Sequence, residues 1–162
     1  MKKKVAYLGL LLAAALICSY IESLVPFYFG VPGMKLGLTN VVVIFVMYLI
    51  GPVEAITVSV LRVLISGFMF GNVFSILYSL AGALLSFFVM YLMKRFTTLH
   101  VISVSVAGGV FHNVGQLLVA LCIVSNYNVF YYLPILLIAG VVTGLLIGII
   151  SQEVVLRLKR RM

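Results

Sequence analysis

Long apolar runs, separated by short polar or glycine- and proline-rich segments, dominate the pattern of this chain. A helix that crosses a bilayer needs about 20 mostly apolar residues. Six runs approach that length, although the second one is short. The pattern therefore predicts helices over residues 5–25, 39–50, 53–70, 73–93, 101–124 and 129–156.

The segments between these runs carry turn and loop signals. Residues 26–37 hold two prolines and three glycines, which is typical of an irregular loop. In the last helix, Pro134 predicts a tilt or a kink. The apolar runs are too long and too uniform for barrel strands, which alternate between apolar and polar residues. We therefore expect an all-α polytopic membrane protein, a six-transmembrane-helix bundle that forms a single domain over residues 1–162.

Composition agrees with a membrane location, because 65% of the residues are hydrophobic and only 9% are charged. Soluble domains carry roughly 25% charged residues, so this chain has too little polar surface to face water. The N-terminal lysines and the following apolar run resemble a signal peptide. The apolar pattern continues to Val25, however, about a full bilayer width, so we expect an uncleaved first helix.

The basic residues predict the orientation in the membrane. The formal net charge is +8, and nine of the 11 lysines and arginines fall at the two termini and in the linker between the fourth and fifth helices. Positive residues favour the cytoplasmic side. We therefore predict a multi-pass protein of the cell membrane with both termini in the cytoplasm. The basic runs are too short, and lack the aromatic platform, for a nucleic-acid surface.

Arg62 is the first candidate for a functional side chain. It lies about 13 Å into the third helix, near the middle of a hydrocarbon core of about 30 Å. Ionisable residues at that depth are costly and usually mark a site. We interpret Arg62 as an anchor for an anionic group of a substrate. The alternative is a structural ion pair with Glu22, near the outer end of the first helix; Glu54 is a poorer partner.

A second candidate is the group of His112, Asn113 and Gln116 in the fifth helix. His112 and Gln116 are four residues apart and share a helix face, and Asn113 flanks them. Neighbouring glycines leave room for a ligand or another helix. The alternative is a set of hydrogen bonds between helices, each worth about 0.6–2 kcal/mol.

Asn40 and Asn72 lie at helix starts, so a helix cap explains each of them at least as well as a contact with a substrate does. We predict one polar pocket that opens outward and is closed by the loop at residues 26–37. Its mixture of charges suits a small organic solute with an anionic or zwitterionic end. The predicted substrate-binding residues are Glu22, Lys35, Asn40, Arg62, Asn72, His112, Asn113 and Gln116.

Small residues in the first helix form a possible docking face for a membrane partner: Gly9, Ala13, Ala14 and Ala15. Such residues let helix backbones approach closely, so packing inside the protein is the default alternative. The same holds for the glycine stripe of the last helix. Cys18 and Cys122 provide neither a disulfide framework nor a zinc site. We expect no cofactor and no bound metal.

Four short motifs carry a resemblance to a known family. They are Glu22-Ser23-Leu24-Val25-Pro26, Pro32-Gly33-Met34-Lys35-Leu36-Gly37-Leu38-Thr39-Asn40, Leu61-Arg62-Val63-Leu64 and His112-Asn113-Val114-Gly115-Gln116. Together they resemble the Gx transporter family, also labelled heptaprenyl diphosphate synthase component I. That family in turn is similar to the substrate-binding S components of energy-coupling-factor (ECF) transporters. The resemblance implies six helices, an outward-facing pocket capped by the first loop, and a docking face on helix 1.

The enzyme label conflicts with the acidic residues of the chain. Prenyl chain-elongating synthases hold diphosphates through Mg²⁺ bound by aspartate-rich motifs, and Mg²⁺ prefers carboxylate oxygens. This chain has no aspartate and three widely spaced glutamates, so it lacks that mechanism, and we predict that it is not an enzyme.

Two functional hypotheses follow. The first is a substrate-binding subunit for a small molecule. The chain has no phosphate loop, so it cannot use ATP itself, and a partner or an ion gradient would supply the energy. The resemblance implies that this partner is an ECF-type transmembrane and ATPase module. The second is a non-catalytic membrane accessory subunit of a prenyl diphosphate synthase in isoprenoid or menaquinone metabolism. A channel is less consistent with polar residues that cluster in one region.

Overall fold

The computed structural model describes residues 2–24, 35, 37–124 and 127–159, and within these ranges the regular structure is entirely helical. A short 3₁₀ helix, Tyr127–Tyr132, precedes the last α-helix. The α-helices are α1 (Lys2–Leu24), α2 (Asn40–Leu49), α3 (Pro52–Phe70), α4 (Val73–Phe96), α5 (Val101–Val124) and α6 (Leu133–Lys159).

The helices lie close to the predicted positions, with one difference in the last one. We expected a single helix from residue 129 with a tilt or kink at Pro134. Instead, the α-helix begins at Leu133, so Pro134 occupies its first turn. Proline is well tolerated there, because the N–H that it lacks has no partner within the helix. In place of the predicted kink, the chain changes from a 3₁₀ helix to an α-helix just before Pro134.

Five of the described helices are long and apolar enough to cross a membrane: residues 4–24, 52–70, 73–96, 101–123 and 129–158. The protein is thus of the multi-pass membrane type. With ten residues, α2 is about 15 Å long, half of a hydrocarbon core of about 30 Å. A sixth complete crossing stays a prediction.

Contacts at one end of the bundle establish the directions of the first four helices. Lys4, at the start of α1, pairs with Glu54, at the start of α3. Lys94, near the end of α4, donates to the carbonyl of Met47, near the end of α2. The starts of α1 and α3 and the ends of α2 and α4 therefore lie together, and consecutive helices run in opposite directions.

Glycines bring α4, α5 and α6 into close contact. A Cβ atom added to Gly144 of α6 would lie only 2.6 Å from the Cα atom of Val106 in α5. Further along the same pair, Gly148 faces Ile102, the second residue of α5, so α5 and α6 are antiparallel. Backbones approach this closely only where no side chain separates them. Among the described helices, the most extensive contacts are those of α5 with α6 and of α4 with α5.

Candidate functional site

Three predicted site residues are buried on three different helices. Glu22 of α1 is 5% exposed, Arg62 of α3 is 1% exposed and His112 of α5 is fully buried. Arg62 lies about 15 Å from the start of α3, and His112 about 16 Å from the start of α5. The start of α5 follows the end of α4 after four residues, and the end of α4 lies at the same end of the bundle as the start of α3. Both side chains therefore sit at a similar, central depth.

Gln116, one turn after His112, holds the chain segment that leads into α2. Its Oε1 accepts a hydrogen bond from the backbone N–H of Lys35 at 2.8 Å, and its Nε2 donates to the carbonyl of Lys35 at 2.6 Å. The side-chain amide thus pairs with Lys35 as a neighbouring β-strand would. Non-helical backbone in an apolar setting needs such partners, because each unpaired group costs several kcal/mol.

Glu22 holds the same segment from the side of α1. Its Oε1 accepts hydrogen bonds from the backbone N–H groups of Gly37, at 2.6 Å, and Leu38, at 3.4 Å. One turn earlier on α1, the hydroxyl of Ser19 lies 3.1 Å from that of Thr39, and both residues are fully buried. The chain segment that leads into α2 is therefore held by Glu22 of α1 and by Gln116 of α5.

Gly37 lies directly against the imidazole of His112. Its φ is +83°, in the left-handed region that favours glycine, and an added Cβ would lie 2.8 Å from Cδ2 of His112. Any other residue here would be strained and would also displace the ring. The segment of Lys35 and Gly37–Thr39 is therefore seated against the site, and we call it the entry segment.

Beneath the entry segment, several buried polar atoms have no hydrogen-bond partner among the described residues. They are Nε and Nη2 of Arg62, both ring nitrogens of His112 and Oε2 of Glu22. The Nδ1 edge of His112 faces the backbone of Gly82 without a hydrogen bond of good geometry. A buried polar group without a partner costs about 1–3 kcal/mol, and a charged one costs more.

Glu22 and Arg62 interact electrostatically but form no contact ion pair. Within the described part of the chain, the contact pairs are Lys4–Glu54 and Glu153–Arg157. The structural ion pair that we considered for Arg62 is thus not made. Its guanidinium keeps two donors for another partner.

Lys35 adds a second positive charge to the site. Its side chain is partly buried, and this burial lowers the pKa of its ammonium group. The nearby carboxylate of Glu22 acts in the opposite direction, whereas the positive charge of Arg62 lowers the pKa further. All three charged groups therefore share one electrostatic environment.

The predicted asparagines contact other parts of the protein. Asn113 donates from Nδ2 to the carbonyl of Leu136 in α6 at 2.7 Å, an interhelical hydrogen bond. Asn40 is buried, and its Nδ2 lies 3.4 Å from the hydroxyl of Ser86 in α4.

Asn72 is exposed and caps α4, since its Oδ1 accepts from the N–H of Ser75 at 2.8 Å. Its observed role is that of a helix cap. The structure thus brings together Glu22, Lys35, Arg62, His112 and Gln116, and gives the three asparagines structural contacts.

Sequence reasoning missed several polar residues that belong to this region. Ser19 precedes Glu22 by three residues, and Ser59 precedes Arg62 by three. Residues with this spacing share a helix face, so the two charged residues were the signal that could have revealed the serines. The hydroxyl of Ser59 is buried and has no hydrogen-bond partner among the described residues.

The predicted docking face of α1 divides into two parts. Gly9 and Ala13 are exposed, and a Cβ added to Gly9 would meet no described atom within 4 Å. Ala15, in contrast, is fully buried in the internal core, and Ala14 packs against that core. Ala15 therefore serves internal packing, whereas Gly9 and Ala13 face outward.

The predicted entry loop, residues 26–37, lies outside the described residues except for Lys35 and Gly37. Elsewhere, an open apolar cleft of about 430 Å³ lies between α4 and α5. It contains none of the polar site residues. Within the described ranges, no three His, Cys, Asp or Glu side chains are grouped so as to hold a metal ion.

The chain was compared with family models, with curated proteins and with solved structures to identify its family. Neither the curated proteins nor the solved structures gave a match. The family model for heptaprenyl diphosphate synthase component I matches residues 11–154, which is most of the chain and includes the buried cluster. The resemblance carried by the four sequence motifs is thereby confirmed, and the chain belongs to the heptaprenyl diphosphate synthase component I family.

Proposed function

We propose that this protein is the substrate-binding membrane subunit of an uptake system for a small organic solute. The observation that carries the proposal is the set of unpaired buried atoms on Arg62, His112 and Glu22. Charged and polar groups at central depth in a membrane bundle are costly, and a ligand that pairs with them would offset the cost. The solute class includes vitamins, cofactors and quinone or isoprenoid precursors.

The entry segment supports this proposal because it covers the site. Glu22 and Gln116 bind its backbone, and Gly37 lies on the ring of His112. We place both termini in the cytoplasm, following the basic residues, so the entry segment faces the outside. Solute would enter from that side.

Release into the cell would require an energising partner. In S components of ECF transporters, which the family resembles, a transmembrane and ATPase module has this role. The exposed Gly9 side of α1 is our candidate for its docking surface. Ala15 is excluded from that surface by its burial.

The proposal is tested by native mass spectrometry of protein purified gently from its membrane. We expect a small molecule to leave the wild-type protein on activation, and to be lost from Arg62→Ala and His112→Ala. The matched controls are Arg157→Ala and His100→Ala, because both of these residues are exposed. Occupancy that is equal in the site variants and the controls would contradict the proposal.

A second function is favoured by the description of the family, which names a component of a prenyl diphosphate synthase. In this alternative the chain is a non-catalytic membrane accessory that recruits a soluble, aspartate-rich synthase. Its test is co-purification of such a synthase with the wild-type protein. A synthase that is retained equally by Arg62→Ala would favour the accessory role, since recruitment does not need the buried site.

A further inference from the structure

The two unpaired donors of Arg62 are placed on one edge of its guanidinium group. Nε–H and one N–H of Nη2 point in the same direction and form a planar fork. Such a fork matches two oxygens of one carboxylate or phosphate, which accept two parallel hydrogen bonds. Arg62 therefore offers a ligand two parallel hydrogen bonds in a fixed geometry, in addition to its positive charge.

Charge balance favours a carboxylate over a phosphate or diphosphate. Arg62 and Lys35 are positive and Glu22 is negative, so the cluster has an excess of one positive charge. The chain has two further acidic residues, Glu54 and Glu153, and both are paired elsewhere. One negative charge on a ligand would neutralise the site. A diphosphate would leave excess negative charge in apolar surroundings, which is costly.

The remaining atoms call for a hydrogen-bond donor on the ligand. Oε2 of Glu22 is a buried acceptor without a partner among the described residues. A neutral His112 offers one donor and one acceptor, and neither ring nitrogen makes a hydrogen bond of good geometry to the described residues. A ligand N–H or O–H group would satisfy the acceptor on Glu22 or that on His112.

We infer that the solute is a monocarboxylate, whose carboxylate binds side-on to Nε and Nη2 of Arg62 and whose N–H or O–H group bonds to Glu22 or His112. This inference rests on the proposed function and narrows its substrate class. It also predicts that a positive charge at position 62 is not sufficient for binding. Lysine at position 62 would keep the positive charge but lose the fork.

The test uses the full-length protein in lipid nanodiscs, loaded from a metabolite extract of its own cells. Small molecules are released by heating, and their exact masses are measured before and after treatment with trimethylsilyldiazomethane. This reagent adds one methyl group to each carboxylic acid and several to a diphosphate. Arg62→Lys and the matched surface variant Arg157→Lys are loaded in the same way, and inorganic diphosphate is added as a competing probe.

We expect one released molecule that gains a single methyl group and resists displacement by diphosphate. Its occupancy should fall at least about tenfold in Arg62→Lys and stay unchanged in Arg157→Lys. A released molecule without a carboxylate, or one carrying several acidic groups, would overturn the inference and leave the proposed function standing. A wild-type protein that retains no small molecule would overturn the proposed function, and the inference with it. Because the methylation result comes from the wild type, it holds even if the Arg62 variant folds poorly.

Discussion

The α5–α6 interface and the cluster around Arg62 both bury polar side chains, but they differ in whether those side chains find hydrogen-bond partners. At the interface, Ser105 donates to the carbonyl of Gly144 at 2.7 Å and Asn113 donates to that of Leu136 at the same distance. In the cluster, Arg62 and His112 keep unpaired nitrogens. His112 and Asn113 are adjacent in sequence, yet they belong to different regions.

This difference separates two uses of polar residues inside a helical bundle. Satisfied hydrogen bonds and glycine contacts hold α5 and α6 in one arrangement. Unpaired atoms contribute nothing to that arrangement and lower stability until a partner arrives. Substitutions should therefore destabilise the protein at the interface and stabilise it in the cluster.

The largest effect is expected where glycine backbones touch. Gly144→Ala places a methyl group 2.6 Å from Cα of Val106 and 2.9 Å from the carbonyl oxygen of Ser105, and these backbone atoms cannot rotate away. We expect a loss of about 3 kcal/mol in the free energy of unfolding, measured by denaturation in mild detergent. Gly9→Ala, with open space around it, is the matched control and should not lose stability. Equal loss in both variants would contradict the contact at Gly144.

Replacement of the buried arginine should have the opposite sign. Arg62→Met keeps much of the side-chain volume and removes the unpaired charge, so the ligand-free protein should gain about 2 kcal/mol in unfolding free energy. The exposed Arg157→Met should change it little. A marked loss of stability in Arg62→Met would mean that its charge stabilises the fold, and the contrast between the two regions would fail.

A smaller effect is expected at the neighbour of His112. Asn113→Ala removes one interhelical hydrogen bond and should cost about 1 kcal/mol in unfolding free energy, without reducing small-molecule occupancy. His112→Ala should instead reduce small-molecule occupancy without lowering the unfolding free energy. Both quantities are measured on the same preparations, by denaturation and by native mass spectrometry. Loss of the small molecule in Asn113→Ala would place Asn113 in the cluster.

The smallest effect concerns pH and Lys35. Because the pKa of Lys35 is lowered in the folded protein, the unfolded chain holds more protons just below the ordinary lysine pKa. Stability should therefore rise with pH through the window between the two pKa values and level off above it. The difference between the denaturation profiles of the wild type and Lys35→Met isolates this contribution. Parallel profiles would show that Lys35 titrates normally.

Sequence patterns predicted the helices because their signal is local. Composition and run length are enough to identify a membrane helix, and an arginine in such a run is conspicuous. The face shared by His112 and Gln116 also follows from helix geometry. The role of Gln116 does not, since its partner is the backbone of Lys35, 81 residues away. Likewise, the contact of Asn113 with α6 depends on how the helices pack, which no local pattern encodes.

The shortness of α2 has a consequence for how the chain enters the membrane during synthesis. The ten residues of α2, nine of them apolar, are too few to be retained by the translocon as an independent span. We expect α2 to be held in place only after α3 has followed it, when the carboxylate of Glu22 can receive the amides at Gly37 and Leu38. The side chains of Glu22 and Gln116, which hold the entry segment, would then also serve as late folding contacts.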